Sequence, residues 1–240
     1  MKRRLRTVLL TGSSSGIGAA IRDRLLDEGH TVLGVARRAE AFGGNSRYHA
    51  LGLDLGRLDT VHEALQSFVA RFDGVDAVIS NAGQAVFGNL EQLSGAAIRR
   101  AIDTNLTSHL LVVRTLLPAL KSHAPSDVVV MGSESAIRGG KRGTVYSAAK
   151  FGLRGFAQAL RAECAASSVR VTLINPGMVR TAWFDGLDFA PGEEPDNAIE
   201  PADVAAAVSM VLDARPGTVF DEINVSPLKK VVRSKQPRDP

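Results

Sequence analysis

The chain has 240 residues, a formal net charge of +4, 45% hydrophobic residues and 22% charged residues. This composition is typical of globular proteins and excludes disordered, fibrous and collagen-like chains. We expect one domain over residues 1–240. The only cysteine, Cys164, cannot form an internal disulfide, which favours a reducing compartment. No Cys or His cluster has zinc-site spacing, so we expect no metal site.

The excess basic charge lies at the two ends of the chain. Four of the first six residues are Lys or Arg, and the tail from residue 229 holds five basic residues against Asp239. Such ends are usually solvated, so we expect no nucleic-acid partner. The apolar run Val8–Leu10 is too short for a signal peptide. No run approaches the roughly 18 apolar residues of a membrane helix, so we expect a cytoplasmic protein without a membrane partner.

Short apolar runs alternate along the chain with stretches of helical periodicity. The predicted strands are Leu5–Leu10, Thr31–Val35, Ala50–Leu53, Ala77–Ile79, Val128–Met131, Val169–Ile174 and Phe220–Val225. The predicted helices cover about 17–28, 58–72, 92–122, 146–166 and 201–213. Several strands are too continuously apolar to have a solvated face, which indicates a parallel sheet covered on both sides. The alternation predicts a doubly wound α/β fold.

One irregular stretch covers about residues 182–200 and is rich in Gly and Pro. A connection of this length in a compact domain is usually a binding loop, so we predict a substrate loop or lid there. Its aromatic residues, Trp183, Phe184 and Phe189, either face a substrate or form a small satellite core.

The first strand runs into a glycine-rich turn, Thr11-Gly-Ser-Ser-Ser-Gly-Ile-Gly18, and then into a helical pattern. At such a turn, backbone N–H groups and the positive end of the helix dipole can hold a pyrophosphate. The spacing is G-x-x-x-G-x-G rather than the standard G-x-G-x-x-G. The position between a strand and a helix nevertheless predicts nucleotide binding.

A second motif places Tyr146 and Lys150 four residues apart at the start of a helical pattern, on one helix face. A neighbouring ammonium stabilises a phenolate, so we expect Lys150 to lower the pKa of Tyr146 from its usual value of about 10. Upstream, the strand that ends at Met131 leads into Gly-Ser133-Glu-Ser135. These hydroxyl groups belong at the carboxyl edge of the sheet, where such folds bind ligands.

Together these motifs resemble the short-chain dehydrogenases/reductases over nearly the whole chain. The resemblance implies a single Rossmann-like domain with a seven-stranded parallel sheet and helices on both faces. It implies a catalytic set of Ser133, Tyr146 and Lys150, with Asn105 from the fourth helix. The implied cofactor contacts are Gly12, Ser14, Ser15, Gly16, Ile17, Gly18, Asp54, Asn81, Ala82, Gly83, Tyr146, Lys150, Pro176, Gly177, Val179 and Thr181.

The residues after the second strand bear on the choice of cofactor. An acid there usually binds the ribose 2′-hydroxyl of NAD. Here the chain reads Ala36-Arg37-Arg38, with no acid until Glu40. A guanidinium matches phosphate geometry, so Arg37, assisted by Arg38, is expected to bind the 2′-phosphate. This predicts a preference for NADP(H), with NAD(H) still possible.

The resemblance implies an oxidoreductase that interconverts a carbonyl and a secondary alcohol. Tyr146 would donate the proton, Ser133 would bind the reacting oxygen, and Lys150 would bind the nicotinamide ribose. Asn105 would hold a water that links Lys150 to solvent. Ser135 remains an alternative to Ser133, although the usual spacing of the family favours Ser133. The resemblance also implies a homotetramer or homodimer.

Two other functions fit parts of this pattern. A catalytically idle dinucleotide-binding sensor or scaffold would not need Ser133, Tyr146 and Lys150 together. An epimerase or dehydratase of the extended branch has a different glycine spacing and a larger substrate domain. The small-molecule substrate stays open between hydrophobic ketones and small polar hydroxy acids.

Overall fold

A central parallel sheet organises the computed structural model, which describes residues 4–38 and 44–235. The strands are β1 (Thr7–Thr11), β2 (Thr31–Ala36), β3 (Tyr48–Gly52), β4 (Ala77–Ser80), β5 (Ser126–Met131), β6 (Val169–Pro176), β7 (Phe189–Pro191), β8 (Glu222–Val225) and β9 (Val232–Ser234). Seven of them pair in the order β3-β2-β1-β4-β5-β6-β8, all parallel. The predicted Rossmann-like sheet is confirmed.

Helices cover both faces of this sheet. They are α1 (Gly16–Asp27), α2 (Leu58–Val69), α3 (Gly95–Ile102), α4 (Ser108–Ser122), α5 (Thr144–Cys164) and α6 (Pro201–Asp213). The sequence predicts one helix over about 92–122. In the structure, a π-helical turn at Asp103–Thr107 divides this region into α3 and α4.

Alternate side chains of β1 show how the two faces are filled. Val8 and Leu10 pack with Ile21 of α1 and Val204 of α6. Leu9 points to the other face and packs in the cluster that contains Val61 of α2 and residues of α4 and α5. All three β1 side chains are fully buried. Burial on both faces explains why the strands are continuously apolar.

The connection predicted as irregular has secondary structure of its own. It contains 3-10 turns at Ala182–Phe184 and Pro195–Asn197, and its strand β7 pairs antiparallel with β9. No sequence pattern predicts β9, because its three residues are all exposed and carry no apolar alternation. A lid movement of about 182–200 stays a prediction.

Within residues 4–38 and 44–235, no helix is both long enough and apolar enough to cross a membrane. Residues 1–3 and 236–240, which hold part of the terminal basic charge, lie outside the described residues, as does Glu40.

A buried carboxylate joins the amino-terminal ends of three strands. Asp127 of β5 is 1% exposed. It accepts hydrogen bonds from Arg170 at 2.8 and 2.7 Å and from the Arg6 guanidinium. Both arginines also donate to carbonyl groups at the end of α6, on Leu212 and Ala214. Asp127 therefore compensates two guanidinium groups that are nearly removed from water.

Replacing Asp127 by Asn should lower the free energy of unfolding by about 3–5 kcal/mol, because it leaves the two buried guanidinium groups without a counter-charge. Urea denaturation measures this change. Asp221→Asn is the matched control, since Asp221 pairs with Arg161 but is 64% exposed. Its loss should stay below about 1 kcal/mol. Similar losses in both variants would contradict the assignment of the buried network.

Candidate active site

A cleft of about 1030 Å³ opens at the carboxyl ends of the strands, beside the point where the strand order reverses between β1 and β4. Doubly wound folds bind their ligands at this position. The predicted residues that line it are Gly12, Ser14, Ser15, Gly16, Ile17, Gly18, Arg37, Asp54, Asn81, Ala82, Gly83, Ser133, Tyr146, Lys150, Pro176, Gly177, Val179 and Thr181. Arg38 and Asn105 are not among the described residues that line the cleft.

The glycine turn brings the start of α1 against the end of β1. Gly12 has φ +72°, in the left-handed region that favours glycine. A Cβ on Gly18 would lie 1.9 Å from the Gly12 carbonyl oxygen, so only glycine allows this approach. Gly16, Ile17 and Gly18, the first residues of α1, all line the cleft, and the two glycines have no side chain. This arrangement fits a pyrophosphate at the helix N-terminus.

Thr11 fixes the loop that follows β4. Its hydroxyl oxygen accepts hydrogen bonds from the backbone N–H groups of Asn81 and Ala82, at 2.9 and 3.0 Å. The Asn81 side-chain amide donates back to the Thr11 carbonyl at 3.0 Å. These hydrogen bonds therefore hold the carboxyl ends of β1 and β4 together at the floor of the cleft. No local pattern in the sequence indicates this role of Thr11.

His109 holds the same loop from the side of α4. Its Nε2 lies 2.8 Å from the Ala82 carbonyl oxygen and its Nδ1 lies 2.8 Å from the Ser80 hydroxyl. The carbonyl can only accept, so Nε2 carries the hydrogen and Nδ1 accepts from Ser80. Burial, and next the positive charge of Lys150, lower the pKa of His109 to about 3. His109 is thus a neutral, hydrogen-bonded residue.

Tyr146 and Lys150 lie in the first two turns of α5, and both are buried. Burial raises the pKa of Tyr146 to about 12; a hydrogen bond with the Ser133 side chain opposes this rise and the charge of Glu134 adds to it. The pKa of Tyr146 is therefore raised overall, and the expected net lowering is wrong. Desolvation dominates, and the Lys150 ammonium lies 5.7 Å from the centre of the phenol ring.

The Lys150 ammonium has a definite partner. It donates a hydrogen bond of 2.9 Å to the Met131 carbonyl at the end of β5. Burial lowers the pKa of Lys150 to about 8, so the side chain still carries its charge at neutral pH. Helix α5 thereby places the Lys150 ammonium beside Tyr146 and next to the carboxyl end of β5.

Ser133 is the hydroxyl group that interacts with Tyr146. Its side-chain oxygen also accepts a hydrogen bond from the Ser135 backbone N–H at 3.1 Å. Its own backbone N–H donates to the Asn175 side chain at 3.2 Å. Both serines line the cleft, but this geometry favours Ser133 over Ser135 as the partner of the tyrosine.

Asn105 lies in the π-helical turn and is fully buried. Its side-chain oxygen accepts from the Gln84 backbone N–H at 2.9 Å, and its amide donates to the Ala101 carbonyl at 3.0 Å. Asn105 therefore joins the helix to the loop after β4. Its expected role in holding a water for Lys150 stays a prediction.

At the far end of the cleft, Arg37 and Arg38 are both exposed, and Arg37 alone of the two lines the cavity. Among the described residues, no hydrogen-bond or ion-pair partner holds the Arg37 guanidinium. Asp54 also lines this end and accepts a hydrogen bond from the Gly56 backbone N–H at 2.9 Å.

Several residues that the sequence analysis did not identify line the opposite end. Phe87 lies in the irregular segment after β4, where no periodicity marks it. Two ion pairs lie at the rim, Arg142 with Asp188 and Lys230 with Glu134. They join segments far apart in the chain, so no local pattern could reveal them.

The pKa of His109 leads to a prediction for stability in acid. The unfolded chain takes up a proton below its ordinary pKa of 6.5, whereas folded His109 stays neutral down to about pH 3. Stability is therefore lost as the pH falls from 6.5 towards 3. Between pH 7 and pH 5, His109 alone should lower the free energy of unfolding by about 2 kcal/mol. Urea denaturation at both pH values measures this loss.

His109→Gln keeps a donor for the Ala82 carbonyl but cannot titrate in this range. Its stability loss between pH 7 and pH 5 should be smaller than that of the wild-type chain by about 2 kcal/mol. His123→Gln, at an exposed histidine, is the matched control and should keep the wild-type loss. An unchanged loss in His109→Gln would show that another group causes the acid sensitivity.

Comparison with known proteins places this arrangement in a family. A family model described as short chain dehydrogenase matches residues 6–188. An uncharacterized oxidoreductase of Staphylococcus epidermidis is 26% identical over 93% of this chain and 97% of its own length. A 3-dehydrosphinganine reductase of Arabidopsis thaliana is 32% identical over 76% of this chain and 57% of its own length.

A solved structure agrees with these sequence matches. The crystal structure of a short-chain dehydrogenase from Streptomyces avermitilis superposes with a TM-score of 0.82 and 26% identity, covering 94% of this chain and 89% of that one. The family match extends from β1 to the residues just before β7, so it includes the glycine turn, Tyr146 and Lys150. The chain belongs to the short-chain dehydrogenase family and is an oxidoreductase that acts on CH–OH groups.

Proposed function

We propose that this chain is an NADP(H)-dependent oxidoreductase that interconverts a carbonyl compound and a secondary alcohol. The observation that supports this proposal is that Ser133, Tyr146 and Lys150 line the same cleft as the glycine turn of α1. The turn fits a dinucleotide, because Gly16 and Gly18 leave the helix N-terminus without side chains at two positions that line the cleft. When bound, the dinucleotide supplies the hydride that the carbonyl carbon gains.

Tyr146 acts as the proton donor in the reductive direction. With a pKa of about 12, its hydroxyl group stays protonated at neutral pH and donates a hydrogen bond to the carbonyl oxygen. Ser133, which already interacts with the phenol, binds the same oxygen and orients it. Negative charge develops on this oxygen during reduction, and the proton of Tyr146 neutralises it.

Lys150 stabilises the phenolate that remains after proton transfer. Its ammonium is buried and charged below about pH 8, and it lies 5.7 Å from the centre of the Tyr146 ring. A cation favours the charged form of a neighbouring acid, which opposes the desolvation of the phenolate. The family resemblance further implies that Lys150 binds the nicotinamide ribose.

The cofactor preference rests on Arg37. Its exposed guanidinium lines the cleft beyond the end of β2, where it can make bidentate, charge-assisted hydrogen bonds to a 2′-phosphate. Asp54 lines the same end and is proposed to lie beside the adenine.

Replacing Tyr146 by Phe removes the proton donor and keeps the ring. Turnover of a ketone by the NADPH complex should fall by about 10²–10⁴, the usual contribution of a general acid. NADPH oxidation in the presence of acetophenone or 2-butanone measures turnover. Cofactor affinity, measured by fluorescence titration, should stay within about twofold, since the phenol ring still packs in place.

Tyr48→Phe, which removes the other tyrosine hydroxyl of the chain, is the matched control and should keep most of the turnover. Retention of more than half of the wild-type turnover by Tyr146→Phe would show that another group supplies the proton. Loss of NADPH affinity in the same variant would instead indicate a damaged cofactor site.

Replacing Arg37 by Ala should weaken NADPH binding by about 1.5–3 kcal/mol and leave NADH binding nearly unchanged, because only NADPH has the 2′-phosphate. Titration of both cofactors against each variant measures the effect. Arg38→Ala is the matched control, since Arg38 is a neighbouring exposed arginine that does not line the cleft. Equal losses for the two cofactors, or a larger loss in Arg38→Ala, would contradict the assignment to Arg37.

A further inference from the structure

We propose that the substrate end of the cleft binds a neutral aromatic carbonyl compound, such as an aryl ketone, and its alcohol. The inference rests on the proposed function, since it names the substrate class of the same site. Its basis is a group of five side-chain rings that line the cleft, here called the ring cluster. The ring cluster consists of Phe87, Tyr146, Trp183, Phe184 and Phe189.

The rings of the cluster contact one another. Phe87 lies at the centre, with ring-centre distances of 5.4 Å to Tyr146, 5.7 Å to Trp183 and 5.1 Å to Phe189. Its contacts with Trp183 and Phe189 are edge-to-face, with interplanar angles of 86° and 72°. Aromatic pairs prefer this geometry. A planar substrate ring that packs against the cluster can therefore make the same kind of contact with protein rings that are already oriented.

Tyr146 connects the ring cluster to the reacting atoms. Phe87 and Trp183 both contact its phenol ring, at 5.4 and 5.8 Å. A carbonyl oxygen bound to the Tyr146 hydroxyl therefore has its substituents beside Phe87 and Trp183. Both of these residues are only half-buried, so part of each ring surface faces the cleft. An aromatic substituent covers this surface better than a saturated ring, because it combines burial with ring-to-ring contact.

The charges at the rim favour a neutral substrate. Asp188 holds the Arg142 guanidinium, and Glu134 holds the Lys230 ammonium at 2.7 Å. A carboxylate on the substrate would have to compete with Asp188 for Arg142, or with Glu134 for Lys230. Lys141 also lines the cleft, but its side chain is exposed. The ammonium groups of Lys150 and Lys235, which lie beside rings of the cluster, already donate to the Met131 and Phe184 carbonyl groups. Moving an unpaired carboxylate against aromatic rings is unfavourable.

The carboxyl-terminal strand holds the ring cluster in place. Phe189 belongs to β7 and pairs with Ser234 of β9. The Lys235 ammonium donates to the Phe184 carbonyl, and the Lys235 backbone N–H donates to the Asp188 carbonyl at 2.7 Å. Four of the five rings thus lie in a helix, a 3-10 turn or a strand, and Phe87 lies in the irregular segment after β4.

The sole tryptophan of the chain, Trp183, lies in the ring cluster and provides a direct binding signal. The experiment titrates three alcohols into the complex with NADPH, which cannot accept a hydride from them, and follows Trp183 fluorescence. The alcohols are 1-phenylethanol, 1-cyclohexylethanol of similar size, and the anionic 4-(1-hydroxyethyl)benzoate. We expect 1-phenylethanol to bind about fivefold tighter than 1-cyclohexylethanol and at least about tenfold tighter than the benzoate.

Phe87→Leu should reduce the preference for 1-phenylethanol over 1-cyclohexylethanol to about twofold or less, because it removes the central ring and keeps apolar volume. Phe72→Leu is the matched control, since Phe72 contacts His49 and Phe68 and does not line the cleft. Its alcohol preference should equal that of the wild-type chain.

Equal or tighter binding of 1-cyclohexylethanol or of the benzoate by the wild-type chain would overturn the proposed substrate class. An unchanged preference in Phe87→Leu would also overturn it. Both readouts measure binding alone. They are therefore separate from the ketone reduction test with Tyr146→Phe, whose failure would count against the proposed function.

Discussion

Burial of the parallel sheet on both faces is the constraint on which the site depends. Because α1 and α6 cover one face and α2, α4 and α5 cover the other, strand side chains within the sheet are predominantly apolar. Apart from Thr172 in the middle of β6, the buried polar side chains of the strands lie near strand ends. Asp127 and its two arginines occupy the amino-terminal edge, and the cleft occupies the carboxyl edge. The fold thereby separates a stabilising ionic network from the reactive groups.

Desolvation also sets the protonation of the three titratable groups around the cleft floor. It lowers the pKa values of His109 and Lys150 and raises that of Tyr146, so each group is shifted towards its neutral form. At neutral pH the result is a neutral histidine, a protonated phenol and a lysine that still holds its charge. This combination suits Tyr146 as a proton donor with Lys150 as a neighbouring cation. Because His109 is neutral, it adds no second positive charge beside the loop after β4.

The sequence predicts what depends on local pattern. Apolar runs and helical spacing identify the strands and helices, and strand-turn-helix context identifies the glycine turn. The π-helical turn around Asn105 has no such signature, because it is a change in backbone hydrogen bonding rather than in residue type. The Tyr146 pKa was predicted in the wrong direction because spacing shows that Lys150 is near but not how deeply the phenol is buried. The roles of Phe87 and β9 depend on contacts between segments that are far apart in the sequence, so no local pattern indicates them.

The substrate end of the cleft depends most on contacts between segments that are far apart in the sequence. Phe87 comes from the loop after β4, Tyr146 from α5, and Trp183 and Phe189 from the connection between β6 and α6. The cofactor end is assembled differently, from strand ends and the α1 turn, which the sheet itself positions. Changes in the connection or in the segment that ends in β9 can therefore alter the aromatic surface without moving Tyr146 relative to Ser133. The structure thus builds the reaction centre from residues that the sheet positions and the substrate wall from separate connecting segments.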